Sequence, residues 1–130
     1  MCSSDLVTDI ASVLKEVAHS LLNTVLQPDV IRLRRLIIAE VPRFPDLGRH
    51  YSEEGPHRGT EVLASLFDKL SAQGLLQVSN GRTAAQQFTW LIVSTPINRV
   101  MLLGDGARPS EEEINTLVED GVATFVNAFS

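Results

Sequence analysis

The stretch Leu33-Arg34-Arg35-Leu36-Ile37-Ile38-Ala39-Glu40-Val41-Pro42-Arg43-Phe44-Pro45 decides how this chain is built. It reads as an amphipathic helix, with Arg34, Arg35 and Glu40 set among aliphatic residues, running into a Pro-x-x-Pro corner. Pro42 and Pro45 fix their own φ and favour extended geometry at Val41 and Phe44, so the corner aims the next helix at a set angle. A helix, a rigid corner and a second helix predict a chain assembled from short packed helices.

The same punctuation continues on both sides. Leu6, Val7, Ile10, Ala11, Leu14, Val17, Ala18, Leu21, Leu22 and Val25 recur at three- and four-residue spacing, which predicts a long amphipathic helix. Ser4 or Asp5 is its expected N-cap and Gln27-Pro28 its end. Pro28 then opens a helix that runs to about Val41, because a proline in the first turn loses no hydrogen bond. Beyond the corner a short helix spans Asp46 to about Glu53 and breaks at Gly55-Pro56. The next helix carries Val62, Leu63, Leu66, Phe67 and Leu70 on one face and stops at Gly74, an expected left-handed cap. Leu75 to Gly81 reads as a loop, with Asn80-Gly81 a tight turn that no alternating strand pattern flanks. Thr83-Ala84-Ala85-Gln86 and Ser110-Glu111-Glu112-Glu113 both read as capping boxes that open long helices, ending near Leu103 and Phe129. The expected fold is an all-α bundle of five main helices plus a short helix, forming a single domain over residues 1–130.

Composition bounds the function. Of 130 residues, 44% are hydrophobic and 21% charged, and the net charge is -5. A chain of this size buries roughly two thirds of its unfolded surface. The acidic balance argues against direct nucleic-acid contact, which calls for a basic face toward the phosphates. Arg32, Arg34 and Arg35 run the other way but point in different directions around their helix, and read as solvated or ion-paired. Cys2 is the only cysteine, which excludes a disulfide framework or cysteine metal site and fits a cytoplasmic protein. Asp9, Lys15 and Glu16 interrupt the first apolar stretch, so it predicts neither a signal peptide nor a membrane span.

The last two helices carry more apolar surface than a small monomer needs. On a wheel at roughly 100° per residue, Ala84, Ala85, Phe88, Leu91, Ile92, Leu102 and Leu103 fall on one side of the first, with Trp90, Val93, Ile97, Val100 and Met101 opposite. A helix apolar on two faces needs either a central position or a partner subunit. The last helix has a stripe of Ile114, Leu117, Val118, Gly121, Val122, Phe125, Val126 and Phe129, in which Gly121 suggests close helix–helix approach. A twofold four-helix contact would use Phe88, Leu91, Ile92, Leu117, Gly121, Val122 and Phe125, and twofold dimers are the commonest oligomers. Pro96 should kink its helix, with Ser94, Thr95 and Asn98 beside the freed backbone as a possible pocket wall.

Catalytic chemistry is not specified. His19, His50 and His57 lie near no glycine-framed nucleophile. His50, Glu53, Glu54 and His57 have the residue types for a metal, but Gly55-Pro56 breaks the helical spacing that would converge them. No metal, cofactor or enzymatic activity is expected.

The corner also resembles a family. Arg35, Leu36, Ile38, Ala39, Glu40, Arg43, Phe44, Pro45, Asp46 and Leu47 match the signature R-L-[IV]-I-A-E-x-x-R-F-P-[DE]-L of the C-terminal domain of TetR-type bacterial transcriptional regulators. Tyr51, Gly55-Pro56, Gly74, Ala84-Ala85-x-x-Phe88, Leu103-Gly104 and the closing helix to Phe129 extend the likeness over about Pro28 to Phe129. The resemblance implies an effector-sensing and dimerisation domain without its helix-turn-helix half, pairing through the last two helices. In that family a small molecule held among these helices controls operator affinity, an allosteric coupling between two sites. The expected ligand is a small apolar effector, in a pocket between the first, second, fourth and fifth helices lined by Leu22, Val25, Ile37, Phe67, Trp90 and Ser94. Arg35 and Glu40 are expected to anchor their helix and the corner. A helical interaction module with no small-molecule site is the alternative.

Overall fold

The computed structural model describes residues 3–130, with side chains from Asp9 onward. Six α-helices follow in order: α1 (Ser3–Val25), α2 (Pro28–Glu40), α3 (Pro45–Glu54), α4 (Pro56–Ala72), α5 (Gly81–Leu103) and α6 (Glu111–Phe129), with a 3-10 turn at Asp105–Ala107. The described residues contain no strand, so the chain is all-α as its periodicity predicts. The side chains of Ser4, Asp5, Leu6 and Val7, and all of Cys2, lie outside the described residues.

Proline sets the helix starts. Pro28, Pro45 and Pro56 open α2, α3 and α4, each where a missing N–H costs no helical bond. The corner differs from expectation at Val41, which keeps helical geometry (φ -54, ψ -38) although a proline follows it. The Val41 amide bonds to Ile37, and Arg43 and Phe44 both donate to the Glu40 carbonyl at 3.0 and 2.8 Å, so the helical winding continues through the turn. Phe44 alone is extended before its proline (φ -132, ψ 78).

Two caps are as predicted and one is not. Ser110 and Glu113 form a reciprocal box at the start of α6, at 3.1 and 3.2 Å. Gly74 ends α4 at φ +74, where Leu75 donates to Leu70 and Gly74 to Ser71, the paired bonds of a Schellman cap. Thr83 is not a cap: α5 starts two residues earlier, and Asn80 accepts from the Thr83 amide at 3.2 Å. Asn80-Gly81 is therefore a helix start rather than a turn, because the asparagine side chain competes well for the orphan amides of a first turn.

The core is a stack of aliphatics around an aromatic junction. Ile10, Leu14, Ala18, Leu22 and Leu26 form one buried stripe along α1. Phe67 of α4, Phe88 of α5 and Phe125 of α6 meet with ring centroids 5.0 to 5.7 Å apart, and Phe129 stacks on Phe125 at 4.5 Å. Edge-to-face pairs of this kind add to the area each ring buries. The loop after α4 is tied to the same end of the bundle. Ser71 Oγ donates to the Val78 carbonyl and accepts from its amide, and Gln77 donates to the Phe129 carbonyl at 2.6 Å.

Helix α5 is central: α1, α2, α4, α6 and the 3-10 turn all pack on it. Two glycines permit the closest contacts. A Cβ on Gly121 would lie 2.6 Å from Ile92 Cδ1, which bears out the expected close approach of α6 to α5. A Cβ on Gly81 would lie 2.6 Å from the Ala64 carbonyl oxygen of α4 and 2.3 Å from Asp68 Oδ1. These contacts differ in what can give way. Gly121→Ala meets the tip of one side chain and gains about 1 kcal/mol of helix propensity, whereas Gly81→Ala meets backbone. Chemical denaturation should therefore show Gly81→Ala destabilised by more than about 1 kcal/mol and by more than Gly121→Ala. Phe125→Ala, at the aromatic junction, should lose about 3–5 kcal/mol in the same measurement.

Candidate functional site

None of the six residues predicted to line a pocket lines either of the two cavities described below. Leu22 and Phe67 are fully buried in the core, and Ile37 is buried at the inner face of α2. Val25 is half-buried near the end of α1. Trp90 and Ser94 face solvent on α5, because its inner face is taken up by Phe88, Ile92, Val93, Pro96, Ile97 and Val100. The Pro96 ring is itself packed inside, so it leaves no hollow there, and Ser94, Thr95 and Asn98 lie exposed.

Five of the seven residues predicted to meet a partner are internal instead. Phe88, Ile92, Gly121, Val122 and Phe125 are buried within the chain, since α5 and α6 pack on each other and on α1 and α4 through those side chains. Leu91 is exposed and Leu117 half-buried. The helical wheel located two apolar faces on α5 but could not weigh a central position against a partner. The central position covers part of each face. Trp90, Leu91, Leu102 and Leu103 remain exposed on α5.

Beside this strip an open groove of about 340 Å³ runs between α5 and α6, lined by Thr95, Arg99, Glu112, Glu113, Thr116 and Leu117. Arg99 donates to Glu113 at 2.8 Å across it. The Arg99 hydrogen bond, then the Ser110 backbone bond, holds the Glu113 carboxyl below its ordinary range.

A second group of contacts reaches the carbonyl ends of α5 and α1 beside α2. Arg35 donates to the Val100 carbonyl in the last turn of α5 at 2.6 Å and pairs with Asp105 at 3.4 Å. Arg108 donates to the Leu26 carbonyl at the end of α1. Both guanidinium groups satisfy helix-end carbonyls and complement the negative end of the helix dipole. Between them lies a cavity of about 90 Å³ bounded by Leu26, Pro28, Ile31, Val100, Asp105 and Arg108. The anchoring expected of Arg35 is therefore met at α5, while Glu40 pairs locally with Arg43 at 3.9 Å.

Arg34 behaves differently from its neighbours. Arg32 pairs with Asp29 and Arg35 with Asp105, but Arg34 is half-buried, and its Nε is buried with no hydrogen-bond partner among the described residues. Leaving such a donor unsatisfied costs on the order of 1–3 kcal/mol. Sequence reasoning grouped the three arginines as solvated or ion-paired; the signal that separates Arg34 is its register with Ile31 and Ile37 on the buried face of α2.

His50 and His57 are exposed, and His57 lies 3.7 Å from Glu61 rather than near His50. No group of three metal-ligating side chains occurs among the described residues, and no helix there is long and apolar enough to cross a membrane.

The Arg99–Glu113 contact has a measurable signature. Because the folded pKa of Glu113 is depressed, its stabilising effect is present above the unfolded-state value of 4.5 and fades as pH falls through the lower folded value. Carboxyl-detected NMR should find Glu113 titrating below the usual glutamate range, and Arg99→Met should move it upward.

Comparison with known proteins agrees with this architecture. Residues 12–130 match the family model described as the AefR-like transcriptional repressor C-terminal domain, TetR_C_7. A crystal structure at 1.54 Å from Mesorhizobium loti MAFF303099, described as a TetR-family transcriptional regulator, superposes with a TM-score of 0.85 at 29% identity, covering 98% of this chain and 69% of that one. Among curated proteins, none matches. With the matched family model spanning all but the first turns of α1, the chain belongs to the TetR family of transcriptional regulators, in its C-terminal regulatory domain.

Proposed function

We propose that this chain is the effector-sensing and dimerisation domain of a TetR-type regulator, pairing with a second copy through α5 and α6. The family is a regulatory class whose members act as dimers and bind DNA and small-molecule effectors. The observation that carries the dimer reading is the exposed apolar strip of α5: Trp90, Leu91 and Leu102 keep 51%, 42% and 75% of their surface open. Large apolar side chains left open along one helix are candidates for an interaction surface. The partner-facing set is then Trp90, Leu91, Leu102 and Leu117, replacing the buried members of the predicted interface. An aromatic anchor such as Trp90 is typical of residues that dominate interface energies.

Effector sensing belongs to the space between α2 and its neighbours. Helix α2 packs less extensively than α4 or α6 and is tied to α5 by Arg35, so it can yield to a ligand. Leu22 and Val25 stand about a turn or less from the cavity at Leu26, and Ile37 lies farther along α2, less than two turns from Ile31. A shift of α2 would reach α5 through Arg35 and its bond to the Val100 carbonyl, and so reach the dimer contact. In the intact regulator that movement would control operator affinity; with a net charge of -5, this chain itself makes no operator contact in our reading. It acts as one domain in the cytoplasm, without catalytic chemistry.

One observation favours a second reading, a helical interaction module with no small-molecule site. The cavity between α1, α2 and α5 measures about 90 Å³, below the roughly 300–1,000 Å³ of ordinary ligand pockets. A thermal-shift screen separates the two, since a sensor domain gains stability with ligand by mass action and a bare module does not.

Native mass spectrometry tests the pairing. The wild-type chain should be a dimer at low micromolar concentration. Trp90→Asp with Leu102→Asp should weaken it at least tenfold, about 1.4 kcal/mol, with unchanged helical circular dichroism. A monomeric wild type, or an undisturbed dimer in the double variant, would contradict the assignment.

A further inference from the structure

We infer that Arg34 recognises an anionic group, and that the effector is an amphiphilic organic acid whose carboxylate or phosphate meets the Arg34 guanidinium on the inner face of α2. The inference rests on the effector-sensing reading and names the chemistry of its ligand. Its foundation is an asymmetry among the nine arginines. Arg32, Arg35, Arg43, Arg49, Arg58, Arg82 and Arg99 each have a carboxylate partner, and Arg108 has the Leu26 carbonyl. Arg34 has none among the described residues, and its Nε is buried. A buried donor without a partner asks for an explanation, and an anion that enters from solvent supplies one.

The acids on α2 and on the 3-10 turn that packs beside it already have arginine partners. Asp29 is taken by Arg32, Glu40 by Arg43 and Asp105 by Arg35. Arg34 is half-buried as a residue but its Nε is closed to solvent, so an anion meets that nitrogen when α2 shifts from its neighbours. The Nε and one Nη of a guanidinium form an edge that matches the two oxygens of a carboxylate or phosphate. Its setting selects the rest of the molecule. Ile31 and Ile37, one turn on either side along the same face of α2, are buried. Ile31 also lines the cavity with Leu26 and Val100, so the same shift of α2 would bring the body of a ligand seated on Arg34 against aliphatic side chains. The acidic chain offers no long-range attraction to anions, so selection depends on this short-range contact.

Isothermal titration of the purified chain with octanoate, octyl phosphate and octanol tests the inference. Wild type should bind at least one of the two acids, and which one distinguishes carboxylate from phosphate recognition. Arg34→Met should weaken that binding at least tenfold. Arg34→Lys should retain most of it, and any octanol binding should be the same in all variants. If Arg34→Met melts early, Arg34→Gln, which keeps hydrogen-bond donors but not the charge, is the variant to read. Equal acid binding by wild type and Arg34→Met would overturn the inference. Octanol binding without acid binding would overturn it while leaving the sensor reading intact. Failure of all three probes would overturn it and leave the dimer, tested separately, as the remaining part of the proposed function.

Discussion

A single helix that is apolar around most of its circumference constrains everything else in this chain. Helix α5 carries Phe88, Ile92, Val93, Pro96, Ile97 and Val100 inward, and such a surface must be covered before the chain can fold stably. Helices α1, α4 and α6 cover it, and the glycines at 81 and 121 let α4 and α6 approach closely enough to do so. The three phenylalanines at 67, 88 and 125 are where these helices lock together. What is left over, the strip from Trp90 to Leu102, is the part of the helix that its own chain does not cover.

The other side of the fold is held by different physics. Helix α2 has an apolar inner face too, and Arg35 ties it to the carbonyl end of α5, while Arg108 separately ties the segment before α6 to the end of α1. Hydrogen bonds of this type are specific and individually modest in net stability. An element held in that way can be displaced at lower free-energy cost than one at the aromatic junction. The two sides of the fold are thus held by different contacts, an aromatic junction of α4, α5 and α6 and an arginine tie from α2 to α5.

Much of this was legible in the sequence, and the misses have physical causes. Helix positions followed from period and proline because those signals are local. The Ser110 box and the Gly74 cap were legible for the same reason. Thr83 was misread because Asn80, three residues earlier, competes for the same orphan amides, and a hydroxyl followed by glutamine at the right spacing occurs on both sides of a helix start. Val41 was misjudged because the proline rule describes a preference, and two amides bonding to the Glu40 carbonyl outweigh it. The site residues were the least legible. Periodicity locates an apolar face but not what covers it, so Phe88, Ile92 and Phe125 were assigned outward although the chain turns them inward. Trp90 was assigned inward although it faces solvent. The distinctive state of Arg34 depends on which acids its neighbours have claimed, and that is a property of three-dimensional packing.

The central claim is that α5 is covered on one flank by its own chain and on the other by a second copy. Pulsed electron spin resonance on nitroxide labels tests it most directly, in a Cys2→Ser background with one label at Thr95→Cys on the exposed flank or at His50→Cys on α3. The account predicts a strong dipolar signal with a single short distance for labels at position 95, and a longer distance for labels at position 50. Absence of dipolar coupling at 95, or a shorter distance at 50 than at 95, would contradict it.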